Sequence, residues 1–214
     1  MSYLGYNMSR KLMERKTRQQ FIVDAAAKLF AQKGIENTSM DDIAKAVDYT
    51  RSTLYRYFNS FDEICVLVLV SQDRKRWELQ KQAISGASNG ADKLRTWGMS
   101  LFDFVQSNPE TIRIDYFRDF NGIDRTKIDD QIFEEFLVLN NEFVEGLKTI
   151  FKLGMKDGSL SPTLNIDMCI SQFVHSLRAI LYRANSDHFS FTQIKTKEYV
   201  THFLDLFLQG LRQQ

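Results

Sequence analysis

The chain has 214 residues, 43% apolar and 26% charged, proportions of an ordinary globular protein with length for one large domain or two small ones. Its longest unbroken apolar run, ICVLVLV at 64–70, is far too short to cross a bilayer, so no membrane partner is expected; the polar, basic first twenty residues lack a signal-peptide core, and the cytoplasm is the expected compartment. Net charge is only +1, yet residues 1–60 carry ten Lys/Arg against six Asp/Glu, and the remainder eighteen against twenty-one, which suits a polyanion at the N-terminal end.

Two prolines and ten glycines punctuate the chain, and apolar residues recur every three to four positions, the spacing of an all-α protein. The first clear helix covers 18–34, with an apolar stripe of Phe21, Ile22, Ala25, Ala26, Leu29 and Phe30 and Gly34 as its stop. Residues 1–17 read as a loose arm or a frayed extension of that helix, with Arg10, Lys11, Arg15 and Lys16 in solvent. A short helix over 39–47 opens on Ser39 and Asp42, a capping-box pair, and buries Ile43, Ala44 and Val47. After a break at Asp48–Tyr49, Thr50 caps a helix over 51–58. Ser60 and Glu63 then open a long helix over roughly 61–84. Beyond the loose stretch SGASNGA at 85–91, helices are expected near 92–107, 109–121, 126–157, 166–184 and 190–212, with a turn at KDGSLSP, 156–162. Cys65 and Cys169 stand apart in apolar runs, as buried thiols do, so neither a disulfide nor a metal or other cofactor is expected.

Two short helices joined by a tight turn at 39–58 give the outline of a helix-turn-helix. On the second, YTRSTLYRYF, Leu54 and Phe58 share the inner face, while Arg51, Ser52, Thr53, Tyr55 and Tyr57 fan over the rest. Tyrosine hydroxyls, arginine forks and short hydroxyls are the groups that bond phosphate oxygens and base edges. The plainer reading is that the tyrosines only cover apolar surface.

The stretch FIVDAAAKLFAQKGIENTSMDDIAKAVDYTRSTLYRYFNSFDEI, 21–64, resembles the N-terminal domain of TetR-family transcriptional regulators. Phe30, Gly34, Thr38, Ile43, Ala44, Leu54, Tyr55 and Phe58 fill that family's pattern. The resemblance implies an N-terminal three-helix DNA-binding domain over 1–60 and a larger helical effector-binding and dimerisation domain over 61–214. It places Ser39 and Met40 near the phosphate backbone, with Thr50 at the start of the recognition helix. It sets Arg51, Ser52 and Thr53 against base edges, and Tyr55 and Tyr57 against phosphates or thymine methyls. Two positions depart from the pattern: Asp48 stands where glycine usually supplies a positive φ, and Phe61 where a lysine commonly meets phosphate.

The resemblance further implies a homodimer on a double-stranded, pseudo-palindromic operator, acting most often as a repressor released by a small-molecule effector. The wide apolar faces of 166–184 and 190–212, among them Phe173, Val174, Leu177, Leu181, Phe203, Leu206 and Phe207, suit a four-helix interface or burial within one subunit. The middle helices are rich in rings; Trp97, Phe102, Tyr116, Phe117, Phe120 and Phe143 could line an effector pocket with His175 and Arg178, although such stripes are more often plain core. No HExxH, GxSxG, P-loop or dinucleotide fingerprint is present, so catalysis is not expected. The competing reading is a helical interaction protein that keeps the motif without specific DNA binding.

Overall fold

Every described element is a helix, as the apolar spacing requires. The computed structural model describes the main chain of residues 3–121, 124–184 and 195–212, and the side chains of 10–115, 124–184 and 195–212. The helices are α1 (Tyr3–Lys33), α2 (Met40–Ala46), α3 (Arg51–Leu54), α4 (Phe61–Ser85), α5 (Gly90–Ser107), α6 (Pro109–Asn121), α7 (Asp130–Asp157), α8 (Ile166–Ala184) and α9 (Thr196–Gly210), with a 3-10 turn at Arg125–Lys127 before α7. No strand occurs among the described residues. The all-α class and the order of elements match the sequence reading. The chain divides into two compact units, Met1–Ser71 with Arg113–Phe136 and Gln72–Ile112 with Leu137–Gln214.

In the first unit the basic N-terminal residues belong to α1, so the extension reading of 1–17 holds. Arg10, Lys11, Arg15 and Lys16 are exposed. Ile22, Val23, Ala26 and Phe30 enter a core with Ile43, Leu54, Phe58, Ile64 and Leu69. Phe21, expected inside, is 55% exposed, because Val23 takes the flank of the stripe. Gly34 ends α1 at φ +84°, a conformation that favours glycine. The start of α4 is anchored by hydrogen bonds: Glu63 N–H donates to Ser60 Oγ at 3.0 Å, and buried Glu63 accepts from Asp129 N–H at 2.9 Å.

The second unit is built on α5, α8 and α9, which pack on one another around Leu94, Trp97, Leu101, Phe173, Leu177, Leu181, Val200 and Leu204. The turn after α7 has Gly158 at φ +80°, and Asp157 accepts the N–H of Gly90 at 2.8 Å. Gly90 and Gly154 meet backbone to backbone, a fit that a Cβ at Gly90 would prevent.

This packing revises the expected dimer face. Phe173, Leu177 and Leu181 are fully buried within a single chain, so they serve the subunit's own core. Val174, Phe203 and Phe207 are half-buried against that core, and Leu206 is 56% exposed. Only part of the predicted face is available to a partner, because α5 fills the groove between α8 and α9.

Candidate nucleic-acid interface

The supporting helix α2 is set by its two ends. At Ser39 the capping box is complete: Asp42 N–H donates to Ser39 Oγ at 3.3 Å, and Ser39 N–H donates to Asp42 Oδ2 at 2.8 Å. Lys33 Nζ lies 3.0 Å from the same carboxylate. The Ser39 hydroxyl, followed by Lys33, holds the Asp42 carboxyl well below the usual carboxylate range. At the other end Asp48 takes φ +56°, while its N–H reaches Lys45 O at 3.3 Å and Tyr49 N–H reaches back to Ala44 O at 2.9 Å. That is a Schellman stop with aspartate in the left-handed position, where a short polar side chain is better tolerated than most. The expected positive-φ role of Asp48 is met.

The turn delivers Thr50 as the cap of α3, its Oγ1 accepting Thr53 N–H at 3.2 Å. Regular α-helix is confined to Arg51–Leu54, whereas the sequence suggests a helix to 58. Arg56 N–H then bonds Thr53 O at 3.2 Å and Tyr57 N–H bonds Leu54 O at 2.8 Å, a tighter i−3 pattern that keeps Phe58 over the core. Leu54 and Phe58 are buried, as expected. Outward stand Arg51, Ser52 and Tyr55, with Thr53 half-exposed, and Tyr55 is 46% exposed. Arg51 Nη1 lies 3.2 Å from Asp41 Oδ2, its Nη2 donates to Tyr55 OH at 3.4 Å, and its guanidinium sits 5.7 Å from the Tyr55 ring centre.

Two predicted contact residues are placed differently. Met40 is 6% exposed and its side chain belongs to the core, so what it presents at the start of α2 is its main-chain N–H. Tyr57 is half-buried, stacked on Tyr49 with ring centres 6.4 Å apart. Sequence reasoning misses the brace on this end of the motif. Arg18 donates to Tyr57 OH at 3.4 Å, Gln19 to Tyr57 O at 3.0 Å and Arg15 to Arg56 O at 3.4 Å. All three come from α1, at i, i+3 and i+4, the spacing of one helix face. Phe61, at the missing lysine position, is half-buried and packs edge-on against core Phe30 at 5.8 Å.

The rings proposed for the effector pocket are only partly brought together. Trp97 packs on Phe143 at 5.5 Å and on Phe173 at 5.4 Å, and Trp77 meets Phe143 at 5.9 Å. Trp97 and Phe102 are buried core. His175 is exposed, its Nδ1 3.2 Å from Ser171 Oγ, and Arg178 is half-buried. The side chains of Tyr116, Phe117 and Phe120 lie outside the described residues. A surface hollow of about 270 Å³ is lined instead by Asp92, Arg95, Asp205 and Arg212 among others.

A capped, outward-facing segment held by a second short helix defines the helix-turn-helix class of DNA-binding proteins. Residues 22–65 match the family described as "Bacterial regulatory proteins, tetR family". Over 179 residues the chain is 24% identical to the HTH-type transcriptional regulator SrpR of Pseudomonas putida, covering 82% of this chain and 79% of that protein. Its fold is that of the fatty acid degradation regulator FadR from Bacillus halodurans, at a TM-score of 0.70, 16% identity and coverage of 92% and 97% of the two chains. It is also that of FadR from Bacillus subtilis, solved in complex with stearoyl-CoA, at a TM-score of 0.68, 14% identity and coverage of 89% and 98%. The chain thus carries a TetR-family N-terminal domain at 22–65 and shares its overall fold with TetR-family transcriptional regulators. Among its described residues no helix is long and apolar enough to cross a membrane.

Proposed function

We propose that this regulator is a cytoplasmic, ligand-responsive repressor that binds a pseudo-palindromic operator as a homodimer. Residues 1–60 read the DNA, and 61–214 bind the effector and the second subunit. The observation that carries the reading is the free edge of Arg51, Ser52, Thr53 and Tyr55, backed by buried Leu54 and Phe58. Arg51 and the hydroxyls meet base edges and phosphates, and the main-chain N–H groups opening α2 add a phosphate contact. Phe61 contributes no charge there. Lys11, Arg15 and Arg18, at i, i+4 and i+7 of α1 beside Arg56 and Tyr57, supply cations for the flanking backbone.

One such edge reads too little DNA for specificity, and half-sites one helical turn apart need two copies. The exposed face of α9 suits the second subunit: Tyr199, Phe203, Leu206 and Phe207 lie at i, i+4, i+7 and i+8, with Tyr199 and Leu206 largely in solvent. An effector that binds one conformation of the dimer better than the other would shift the population and weaken operator binding. Selection of bound duplexes from random DNA tests the reading: a two-fold-related consensus is expected, and recovery of no consensus would refute it. Light scattering tests the interface: Leu206→Glu is expected to turn a dimer into a monomer and to abolish tight operator binding.

A further inference from the structure

The inner face of α4 changes character along its length. In its first half the buried residues beyond Glu63 are all apolar, among them Ile64, Cys65, Val68 and Leu69. In its second half they are Gln72, Trp77 and Gln80, with Asp73 and Arg76 half-buried on the same side. Gln72, Arg76 and Gln80 are four residues apart, so they form one row. Gln80 is wholly buried, and neither end of its amide has a hydrogen-bond partner. The carbonyl of Gln72, the hydroxyl of fully buried Thr111 and the indole N–H of Trp97 are also unpartnered. Folded proteins leave few such atoms, since each is costly to bury unpaired, and each calls for a bound partner.

Gln80, Trp97 and Thr111 belong to or adjoin, along their helices, one apolar cluster. Trp77 and Trp97 belong to it, Thr111 adjoins its member Ile112, and Gln80 lies between Trp77 and Ile84, which packs on it. The two indoles flank Phe143 of α7, which is half-buried and so the nearest to solvent of these three rings. Arg76 pairs with Asp73 at 2.7 Å, and its guanidinium lies 5.9 Å from the Phe143 ring centre. Flat apolar walls and the neutral donors and acceptors of Gln80, Thr111 and Trp97 fit an uncharged ligand better than an anion.

We infer that Gln72, Gln80, Trp97 and Thr111, set around the Trp77–Phe143–Trp97 rings, form the effector site and select an uncharged aromatic compound carrying a hydrogen-bonding group such as an amide or hydroxyl. This rests on the ligand-responsive reading and names its ligand class. Gln80 supplies both a donor and an acceptor, Thr111 bonds a second polar group, Trp97 donates, and the rings stack on the ligand's flat face.

The test uses the full chain and four ring-matched probes: naphthalene, 2-naphthol, 2-naphthamide and 2-naphthoate. Calorimetry and thermal unfolding follow their binding. For the natural sequence, 2-naphthol or 2-naphthamide is expected to bind at least about tenfold tighter than naphthalene, with 2-naphthoate weaker than either. Gln80→Leu and Thr111→Val, close to the originals in shape, should each erase most of that preference. Ligand-free, each should unfold about 2–4 °C higher, because an unpaired polar group has been removed. Equal binding of naphthalene, tightest binding of 2-naphthoate, binding of none of the four, or variants that keep the preference would each overturn the inference. Operator affinity is read separately: if 2-naphthamide binds through Gln80 but leaves DNA affinity unchanged, the site stands and release by effector fails.

Discussion

Arg51→Ala isolates base reading from folding. Arg51 is exposed, and its contacts are Asp41 at 3.2 Å and the hydroxyl and ring of Tyr55. None is buried, so the variant should unfold at the same denaturant concentration as the parent. Operator affinity should change far more. A forked arginine–base contact discriminates by about 5- to 150-fold, and the weakening should be confined to duplexes carrying the base pair that Arg51 reads. The ion pair sharpens the prediction, because Arg51 must leave Asp41 before it can bond a base. Asp41→Asn frees the guanidinium and removes an anion at the start of α2, so it should tighten binding, by no more than about fivefold for so exposed a pair. Fluorescence anisotropy on the selected operator and on its single-base-pair variants measures both. The reasoning is refuted if Arg51→Ala weakens every duplex equally, or if Asp41→Asn weakens binding.

Leu54→Ala should destabilise the first unit by about 3 kcal/mol, since a fully buried leucine leaves a cavity behind the motif; the urea midpoint measures it. Lys11→Ala with Arg15→Ala should lower affinity for all sequences alike and flatten the plot of log K against log salt by about 0.9 for each phosphate no longer neutralised. Asp42 has its pKa depressed in the fold, so its contribution to stability is complete above about pH 5 and is lost as pH falls through the depressed value. Asp42→Asn should therefore flatten the acid limb of the stability–pH curve below about pH 4, as followed by circular dichroism.

Local signals make most of the N-terminal unit legible. Ser39, Thr50 and Gly34 act within four residues of themselves, so their roles can be read from order alone. Asp48 can be assigned its positive φ because it stands where the resembled family usually carries glycine. What escapes depends on residues far apart in sequence. The brace from Arg15, Arg18 and Gln19 spans about forty positions, and nothing local to either segment announces it. Met40 escapes because the first position of a helix can face solvent or core, and tertiary packing decides. On α8 an apolar stripe suits a partner or α5 equally well, and Phe173, Leu177 and Leu181 go to the chain's own core. The polar row at 72, 76 and 80 is visible as helical spacing. It reads as a solvated face until burial shows that Gln80 has no water-facing side.

That row gives α4 two chemistries on one continuous helix. Its first turn is fixed by Ser60, Glu63 and the Asp129 N–H, in the unit that carries the recognition segment. Its second half belongs to the other unit and carries the unpaired amides. A ligand that satisfies Gln72 and Gln80 gains most where the helix presents both to it, and so favours some positions of α4 over others. A conformational switch needs such differential contact, and affinity alone would shift nothing. Gln80→Leu removes the contact while leaving Ser60 and Glu63 in place, so it should give a regulator that binds operator as the parent does and no longer answers to 2-naphthamide. If operator binding itself fails in that variant, the amide row is needed for the DNA-binding conformation, and its part in ligand response would have to be abandoned.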